Sequence, residues 1–536
     1  VIETPHIRRT PPVMLRPERP TASRLTDLAD HVGGTATSDV DVTGVTVSST
    51  DLVPGDLFVA IRGANRHGAE FAADAARNGA SAILTDSDGA EIASGSGLPA
   101  LVVADPRGVL GDVAMAVYRT GPEDELPLLL ATTGTNGKTS VTHLLEGMLT
   151  QIGVVSGAST SAERVVADER VVAGLTSPEA SELHALMGRM RERDVEAFAV
   201  EVSAQAVTRR RVEKVIWDVI GFTNLTHEHL DDYGDMETYY RAKAPLFTSA
   251  RSRRAVISLD SAAGDRIASE ADIPVTTIAT FGIATPTAYD HAHWHVEVTS
   301  EQQSGTGFRL TGPGGRVLET IVPVIGAHMA ANAGLGIVMM LEAGYAWDRI
   351  AAALADGIHA WVPGRTQLVS GSDGPAVYVD FGHTPDAFEK TLAAVRRVTP
   401  GKVLMLFGAD GDRDTTKRAD MARAAVAGSD ITVITDHHPR HEDAASIRAT
   451  LMNAARAADP DHELHEVSPP EAAIVTAVSL VGDGDAILWA GPGHQNYRDI
   501  AGVQWGYSAR ELSRRALIAA GWPAPDRVWP NPYLDD

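Results

Sequence analysis

The segment that most limits what this chain can fold into is residues 128–139, L-L-L-A-T-T-G-T-N-G-K-T. An apolar run ends in a loop carrying Gly134 and Gly137, and a helical pattern begins at about Lys138. A strand, a glycine loop and a helix in that order turn backbone N–H groups inward and aim a helix N-terminus at the loop, which makes a cradle for phosphate. Lys138 then reaches the outer phosphates of a nucleotide, and the Thr139 hydroxyl ligates Mg²⁺. The expected nucleotide contacts are Gly134, Thr135, Asn136, Gly137, Lys138, Thr139 and Ser140. The first glycine of the usual G-x-x-x-x-G-K-[ST] pattern is missing, and Thr132 stands in its place.

Strand and helix patterns alternate around this unit. Strands are expected at 56–62, 82–85 and 101–104, with a helix at 70–78. Further strands are expected at 197–202, 215–222 and 255–259, then short antiparallel strands within 281–325 and a helix at 328–343. Four more apolar strands, at 377–380, 403–408, 431–436 and 486–491, run into Asp- or Gly-containing loops, and a helix is expected at 386–398. Such alternation implies mostly parallel sheets covered by helices, with ligands at the carboxyl ends of the strands. A turn-rich stretch at 121–127 and the segment near Pro363 mark boundaries. The expected division is a proline-rich flexible tail at 1–24, a first α/β domain at 25–125, a central P-loop domain at 126–362 and a third domain at 363–536.

Composition excludes several classes. Lys and Arg total 46 against 70 Asp and Glu, a net charge of −24, which argues against a nucleic-acid binder. The absence of cysteine excludes disulfides, zinc–thiolate sites and a cysteine nucleophile. No apolar run reaches the ~18–20 residues that a membrane span needs, and the first residues lack the apolar core of a signal peptide. A soluble, cytoplasmic, monomeric protein is expected.

The specific wording T-G-T-N-G-K-T is narrower than a general phosphate loop. It resembles the Mur ligase superfamily, and further blocks follow in that family's order: F-T-N-L-T-H-E-H-L-D at 222–231, Y-R-A-K-A-P-L-F at 240–247, G-A-H-M-A-A-N-A at 326–333, V-P-G-R at 362–365 and V-D-F-G-H-T-P-D at 379–386. D-L-V-P-G-D-L-F-V-A-I-R-G at 51–63 and L-T-S-P-E-A at 175–180 are more specifically similar to its MurE branch. The resemblance implies a three-domain α/β architecture: a UDP-sugar-binding domain, a central P-loop parallel-sheet domain binding ATP, and a C-terminal Rossmann-like domain that binds the incoming amino acid. It implies a ligase that uses ATP and Mg²⁺ to join an amino acid to UDP-MurNAc-L-Ala-D-Glu through an acyl phosphate.

Carried onto this sequence, the resemblance makes Thr139, Glu201 and His229 the metal ligands and Lys243 a carbamylated lysine. On sequence alone, Lys243 reads as a surface lysine of an amphipathic helix. Asn332, Arg365, Asp380 and His383 become contacts of the nucleotide or of the hinge beside it. Ser49, Thr176, Ser177, Ser203, Arg209 and Arg211 face the UDP-muramoyl peptide, although the uridine loop, G-A-N-R-H-G at 63–68, does not match cleanly and Arg209 replaces a Gln. Arg413, His437, His438, Arg440, Gly491 and Gln495 surround the incoming amino acid. The family's D-N-P-R block reads H-H-P-R at 437–440, and its G-K-G-H-E block reads G-P-G-H-Q at 491–495. Two acidic positions are thus neutral, which weakens a site for a second ammonium group unless Asp436 or Glu442 substitutes. Diaminopimelate, lysine, ornithine, diaminobutyrate and homoserine all remain open as the added residue. Two other readings stay beside this one: another ligase of the superfamily, of the MurF or folylpolyglutamate kind, and a P-loop NTPase switch. The switch would need neither His229, Lys243 nor Arg413.

Overall fold

The structure, a computed structural model, describes residues 14–525 apart from Ala64, His227 and His229, and only the backbone of Leu230 and Asp231. Packing divides the chain into two compact units. One takes the described chain through His293 together with Leu335–Ala353; the other takes Trp294–Gly334 and the chain from Leu354 onward.

The first unit holds two sheets. The smaller runs Thr35–Ala36, Ala100–Val102, Ala82–Thr85, Asp56–Val59, Gly44–Thr46, and its pairs are parallel except the first. The strand expected through residue 62 stops at Val59. The helix expected at 70–78 opens as a 3-10 turn, Gly68–Phe71, before Ala72–Arg77. The cause is His67: its Nδ1 accepts from the Ala69 N–H while the Glu70 carboxylate accepts from the His67 N–H. This reciprocal cap fixes the start of the turn.

The larger sheet places the loop-bearing strand Leu128–Thr133 between Ala197–Glu201 and Val219–Phe222, all parallel. Ala255–Ser258 and Val275–Thr280 extend it on one side and Ser156–Ser159 on the other. Helices cover both faces, so the central strands read as continuous apolar runs. Leu129–Ala131 and Ala197–Val200 are buried throughout. A hairpin of Glu163–Val166 and Glu169–Val172 closes the far edge; its turn, Ala167-Asp168, carries no glycine, so no usual turn signal marks it. Helix Pro106–Tyr118 lies against helix Ala180–Glu192, with Leu110, Val113, Ala180 and Ala185 in one apolar cluster that joins the two sheets. Residues 16–24, expected within a loose tail, are fastened to this unit. Arg16 donates to Asp56 at 2.7 Å, the Glu18 and Arg19 N–H groups donate to Glu192, and Ser23–Arg24 pairs with Asp41–Val42.

The second unit carries a six-stranded sheet in the order Gln367–Leu368, Ala376–Asp380, Ala486–Ala490, Val403–Phe407, Ile431–Ile434, Glu463–Glu466, parallel beyond the first pair. Phe388, Leu392, Met421 and Leu451 cover one face; Ile474, Ala477, Leu512 and Leu517 cover the other. Because the strands are parallel, the loops after Asp380, Phe407, Ile434 and Ala490 gather at one edge. The same unit includes an antiparallel meander, Trp294–Gln302, Gly305–Gly312 and Arg316–Val322. It begins later than expected, because Thr285 caps a short helix, Pro286–His291, ahead of it. No helix among the described residues is long and apolar enough to cross a membrane.

Phe198 is fully buried in the strand beside the glycine loop. Phe198→Ala is expected to lower stability by about 3–5 kcal/mol, read as an earlier urea midpoint. A change below ~1 kcal/mol would contradict the packing described.

Candidate active site

Gly134 leaves the central strand at φ +145, and a Cβ there would overlap the Thr223 hydroxyl and approach the Asn224 backbone. Only glycine lets the loop lie this close to the next strand. Gly137 caps helix Lys138–Gln151 at φ +89. The loop is held from outside by the block after Val219–Phe222. The Asn136 N–H donates to Asn224 Oδ1 (3.0 Å), and the Thr223 hydroxyl donates to the Asn136 carbonyl (2.6 Å). The Thr226 N–H donates to Thr135 Oγ1 (3.0 Å), and the Tyr239 hydroxyl lies 3.3 Å from the same oxygen. Thr223, Asn224, Thr226 and Tyr239 were not among the expected site residues. Thr223, Asn224 and Thr226 lie in the F-T-N-L-T stretch, whose short polar side chains are the signal for them; Tyr239 has no such signal.

Three expected groups converge on the loop. The Thr139 hydroxyl donates to Glu201 Oε2 at 2.9 Å, and the same oxygen accepts from the Ser161 N–H at 3.0 Å. Lys138 Nζ folds back onto the Thr135 and Gly134 carbonyls, at 2.7 and 3.1 Å. Lys243 Nζ donates to that same Gly134 carbonyl at 3.0 Å. Lys243 is therefore no surface lysine: it is 1% exposed, at the end of helix Met236–Lys243, with Nζ over the Tyr239 ring. Burial, reinforced by repulsion from Lys138, pushes its pKa well below the ordinary lysine value. Ser140 is buried on the first turn of the loop helix. His229 lies outside the described residues.

The residues expected to face the muramoyl peptide fall into two kinds. Ser177 is buried and structural in its contacts: its hydroxyl donates to the Glu201 carbonyl (2.8 Å) and accepts from the Ser203 N–H (3.0 Å). The Ser203 hydroxyl caps helix Ala204–Thr208. These two serines fix the strand end that presents Glu201. Thr176 is half-buried in the bend before them. The cluster Arg209–Arg211 is largely paired within this unit. Arg211 meets Glu179 at 3.1 Å, and Glu179 also meets Arg107; Arg210 meets Asp105; Arg209 is exposed, 4.0 Å from Asp232. The Ser49 carbonyl accepts from the Asn78 side chain.

In the second unit the V-P-G-R, V-D-F-G-H and G-P-G-H-Q blocks meet. Gly364, at φ +63, sits where a Cβ would overlap the Gly493–His494 peptide. The Asp380 carboxylate accepts from the Thr366 N–H and the Gly382 N–H, both at 2.6 Å, and so clamps two loops at once. The Arg365 guanidinium stacks 4.5 Å above the Phe381 ring, which also contacts His494. The His383 Nδ1–H donates to the Phe381 carbonyl. Asn332 is buried in helix Ala327–Glu342, its amide 3.7 Å from Met329 Sδ.

The remaining expected residues gather at the ends of Val403–Phe407, Ile431–Ile434 and Ala486–Ala490. His438 Nδ1 accepts from the Asp499 N–H at 2.9 Å, so its Nε2 carries the proton and donates to Gln495 Oε1 at 2.8 Å. His437 is buried with its ring 4.2 Å from that of His438 and beside Gly491, and burial pushes its pKa down to about 3. Arg440 lies near the Gly411 carbonyl (3.4 Å) and Asp499 (4.0 Å), while Arg413 is exposed. Neither carboxylate expected to substitute for the lost acidic positions is available. Asp436 is bound by Arg448 and by the Ser468 hydroxyl, and Glu442 by Arg418 and the Asp412 N–H. The acid that does stand there is Asp410, unanticipated from the sequence: its Oδ1 is buried without a hydrogen-bond partner, 3.7 Å from His437 Nε2. Burial works to raise the Asp410 carboxyl, but the neighbouring imidazoles and Arg440 outweigh it and hold it below its usual value.

Folding lowers the Lys243 pKa from its unfolded value of ~10.4, so the folded chain gives up this proton at a lower pH than the unfolded chain does. The folded state binds fewer protons there, so this group's contribution to stability rises with pH. Lys243→Met is therefore expected to raise the thermal midpoint at pH 7 in CO₂-free buffer. The gain should shrink as pH approaches 10. An unchanged or lower midpoint at pH 7 would contradict the lowered pKa of the buried amine.

Comparison with known proteins matches this geometry to one family. The family models described as Mur ligase family, catalytic domain; Mur ligase middle domain; and Mur ligase, glutamate ligase domain match residues 41–118, 132–340 and 364–493. A UDP-N-acetylmuramyl-tripeptide synthetase of Leifsonia xyli subsp. xyli is 51% identical over 516 residues, covering 95% of this chain and 99% of the relative. A UDP-N-acetylmuramoyl-L-alanyl-D-glutamate–2,6-diaminopimelate ligase of Streptomyces coelicolor is 40% identical over 508 residues, covering 94% and 98%. Among solved structures, MurF from Acinetobacter baumannii shares the fold at a TM-score of 0.66 and 15% identity, over 94% of this chain and 99% of that one. With a phosphate loop that a Thr–Glu pair and a buried lysine approach, and matches along nearly its whole length, the chain belongs to the Mur ligase family, in its MurE branch.

Proposed function

We propose that this protein is an ATP-dependent ligase that adds the third amino acid to UDP-MurNAc-L-Ala-D-Glu through an acyl phosphate, in peptidoglycan precursor synthesis. The observation that carries this reading is the Thr139–Glu201 pair at the mouth of the glycine loop, 2.9 Å apart. A hydroxyl and a carboxylate are hard oxygen donors, and together they fit Mg²⁺; the same loop supplies N–H groups for phosphate. When bound, Mg²⁺ neutralises charge shared by the nucleotide phosphates and the reacting carboxylate. His229 belongs to the same ligand set in this reading.

The chain's own groups have the following roles. Lys138, now turned back onto loop carbonyls, swings to the terminal phosphate and stabilises charge as it transfers to the D-Glu carboxylate. Burial lowers the Lys243 pKa and so favours the neutral amine, the form of lysine that reacts with CO₂ to give a carbamate and a proton. Arg211 and Thr176 orient the muramoyl peptide. Arg413 pairs with the α-carboxylate of the incoming amino acid, whose amine attacks the acyl phosphate and expels phosphate. Arg365 and Asn332 bind nucleotide, and Asp380 with His383 fixes the hinge loop beside it. The working division is 25–125 for the UDP-sugar, 126–362 for ATP and 363–536 for the amino acid.

Incubation with ATP, Mg²⁺, UDP-MurNAc-L-Ala-D-Glu and an amino-acid panel is expected to give a tripeptide product by mass and amino-acid-dependent ADP release. Lys138→Ala should lower turnover on the order of 10²–10³-fold. ADP release independent of any amino acid would favour a nucleotide switch instead, and near-normal turnover by Lys138→Ala would remove the loop from the mechanism.

A further inference from the structure

The MurE reading leaves open which amino acid is added, and the site's charges bear on that choice. The two acidic positions that the family places around the incoming residue are His437 and Gln495 here. Both are neutral: burial keeps His437 uncharged, and Gln495, an amide, accepts from His438. Asp436 and Glu442 are consumed by Arg448 and Arg418. What remains is Asp410, on the loop after strand Val403–Phe407. Its Oδ1 is shielded from water, lacks a hydrogen-bond donor and faces the buried His437. A buried carboxylate oxygen left without a donor is costly, and a ligand's N–H⁺ removes that cost.

Asp410, His437 and His438 also hold their ligand atoms within 4.8 Å of one another, the spacing of a cation site. However, His438 uses Nδ1 to accept from the Asp499 N–H and Nε2 to bond Gln495. That leaves one imidazole and one carboxylate, too few for a structural metal. An ammonium group needs only acceptors, and Asp410 Oδ1 with a neutral imidazole nitrogen of His437 supplies two.

Resting on the MurE reading, we propose that Asp410 is the specificity residue for the incoming side chain. It selects a diamino acid that ends in a bare ammonium group, of the lysine, ornithine or diaminobutyrate class. A distal carboxylate on the same carbon, as in diaminopimelate, would set a second anion beside Asp410 with only Arg440, already near Asp499, to offset it, and a hydroxyl or alkyl terminus would leave Asp410 unpaired.

The test is steady-state ligation with lysine, ornithine, diaminobutyrate, homoserine, norleucine and meso-diaminopimelate, using wild type, Asp410→Asn and Asp410→Glu. Wild type should favour one of the bare diamino acids over both the neutral residues and diaminopimelate. Asp410→Asn should reduce its kcat/KM ratio over homoserine roughly 30-fold, mainly through KM. Asp410→Glu should recover part of that ratio. Wild-type preference for a neutral residue or diaminopimelate overturns the proposal without any variant, as does an unchanged ratio in Asp410→Asn. Stoichiometric Zn²⁺ binding that Asp410→Asn abolishes would assign the cluster to a metal and overturn it too. If wild type ligates no amino acid, the MurE reading itself fails.

Discussion

The carbonyl oxygen of Gly134 accepts from two lysines, Lys138 and Lys243, and much of the first unit is arranged around that fact. Burial, and after it the neighbouring Lys138 ammonium, push the Lys243 pKa well below its ordinary value. The loop must keep its carbonyl pointed inward for both. That is why Gly134 sits at a φ closed to other residues, and why the Thr223–Thr226 segment pins it from the neighbouring strand. An acidic chain with a net charge of −24 still offers an anion a local cationic pocket, because the charge that matters is set within a few ångströms of the loop.

The second fixed point is Glu201. It reaches Thr139 because its strand lies beside the loop-bearing strand in parallel register, with Glu201 opposite Thr132. Its approach is also held by Ser177, which bridges the Glu201 carbonyl and the Ser203 N–H. Ser177 thus acts through the strand end, whatever else it touches in the complex. Such rigid placement suits a reaction that must align two anions that repel each other.

Much of this was legible in the sequence. The strand–loop–helix unit and the four parallel strands of the last domain follow from local runs and motifs, whereas Thr139 and Glu201 were expected together only through the family resemblance. What escaped were effects that depend on a partner distant in sequence. Lys243 reads as exposed from its own helix, and only the fold buries it against Gly134. Asp436 and Glu442 read as free acids until Arg448 and Arg418 are placed beside them. Asp410 sits in a glycine-rich turn that gives no hint of burial, and it becomes prominent only because the donors around it are committed elsewhere. The helix expected at 70–78 was shortened by a histidine cap that no periodicity encodes.

The proposed reaction turns on transfer of phosphate to the substrate carboxylate, and oxygen tracing tests that step most directly. With ¹⁸O in the D-Glu carboxylate of UDP-MurNAc-L-Ala-D-Glu, each turnover should deliver one ¹⁸O atom into the released phosphate, read by mass spectrometry. Phosphate released without label during tripeptide formation would contradict the acyl phosphate and the roles assigned to Lys138, Thr139 and Glu201.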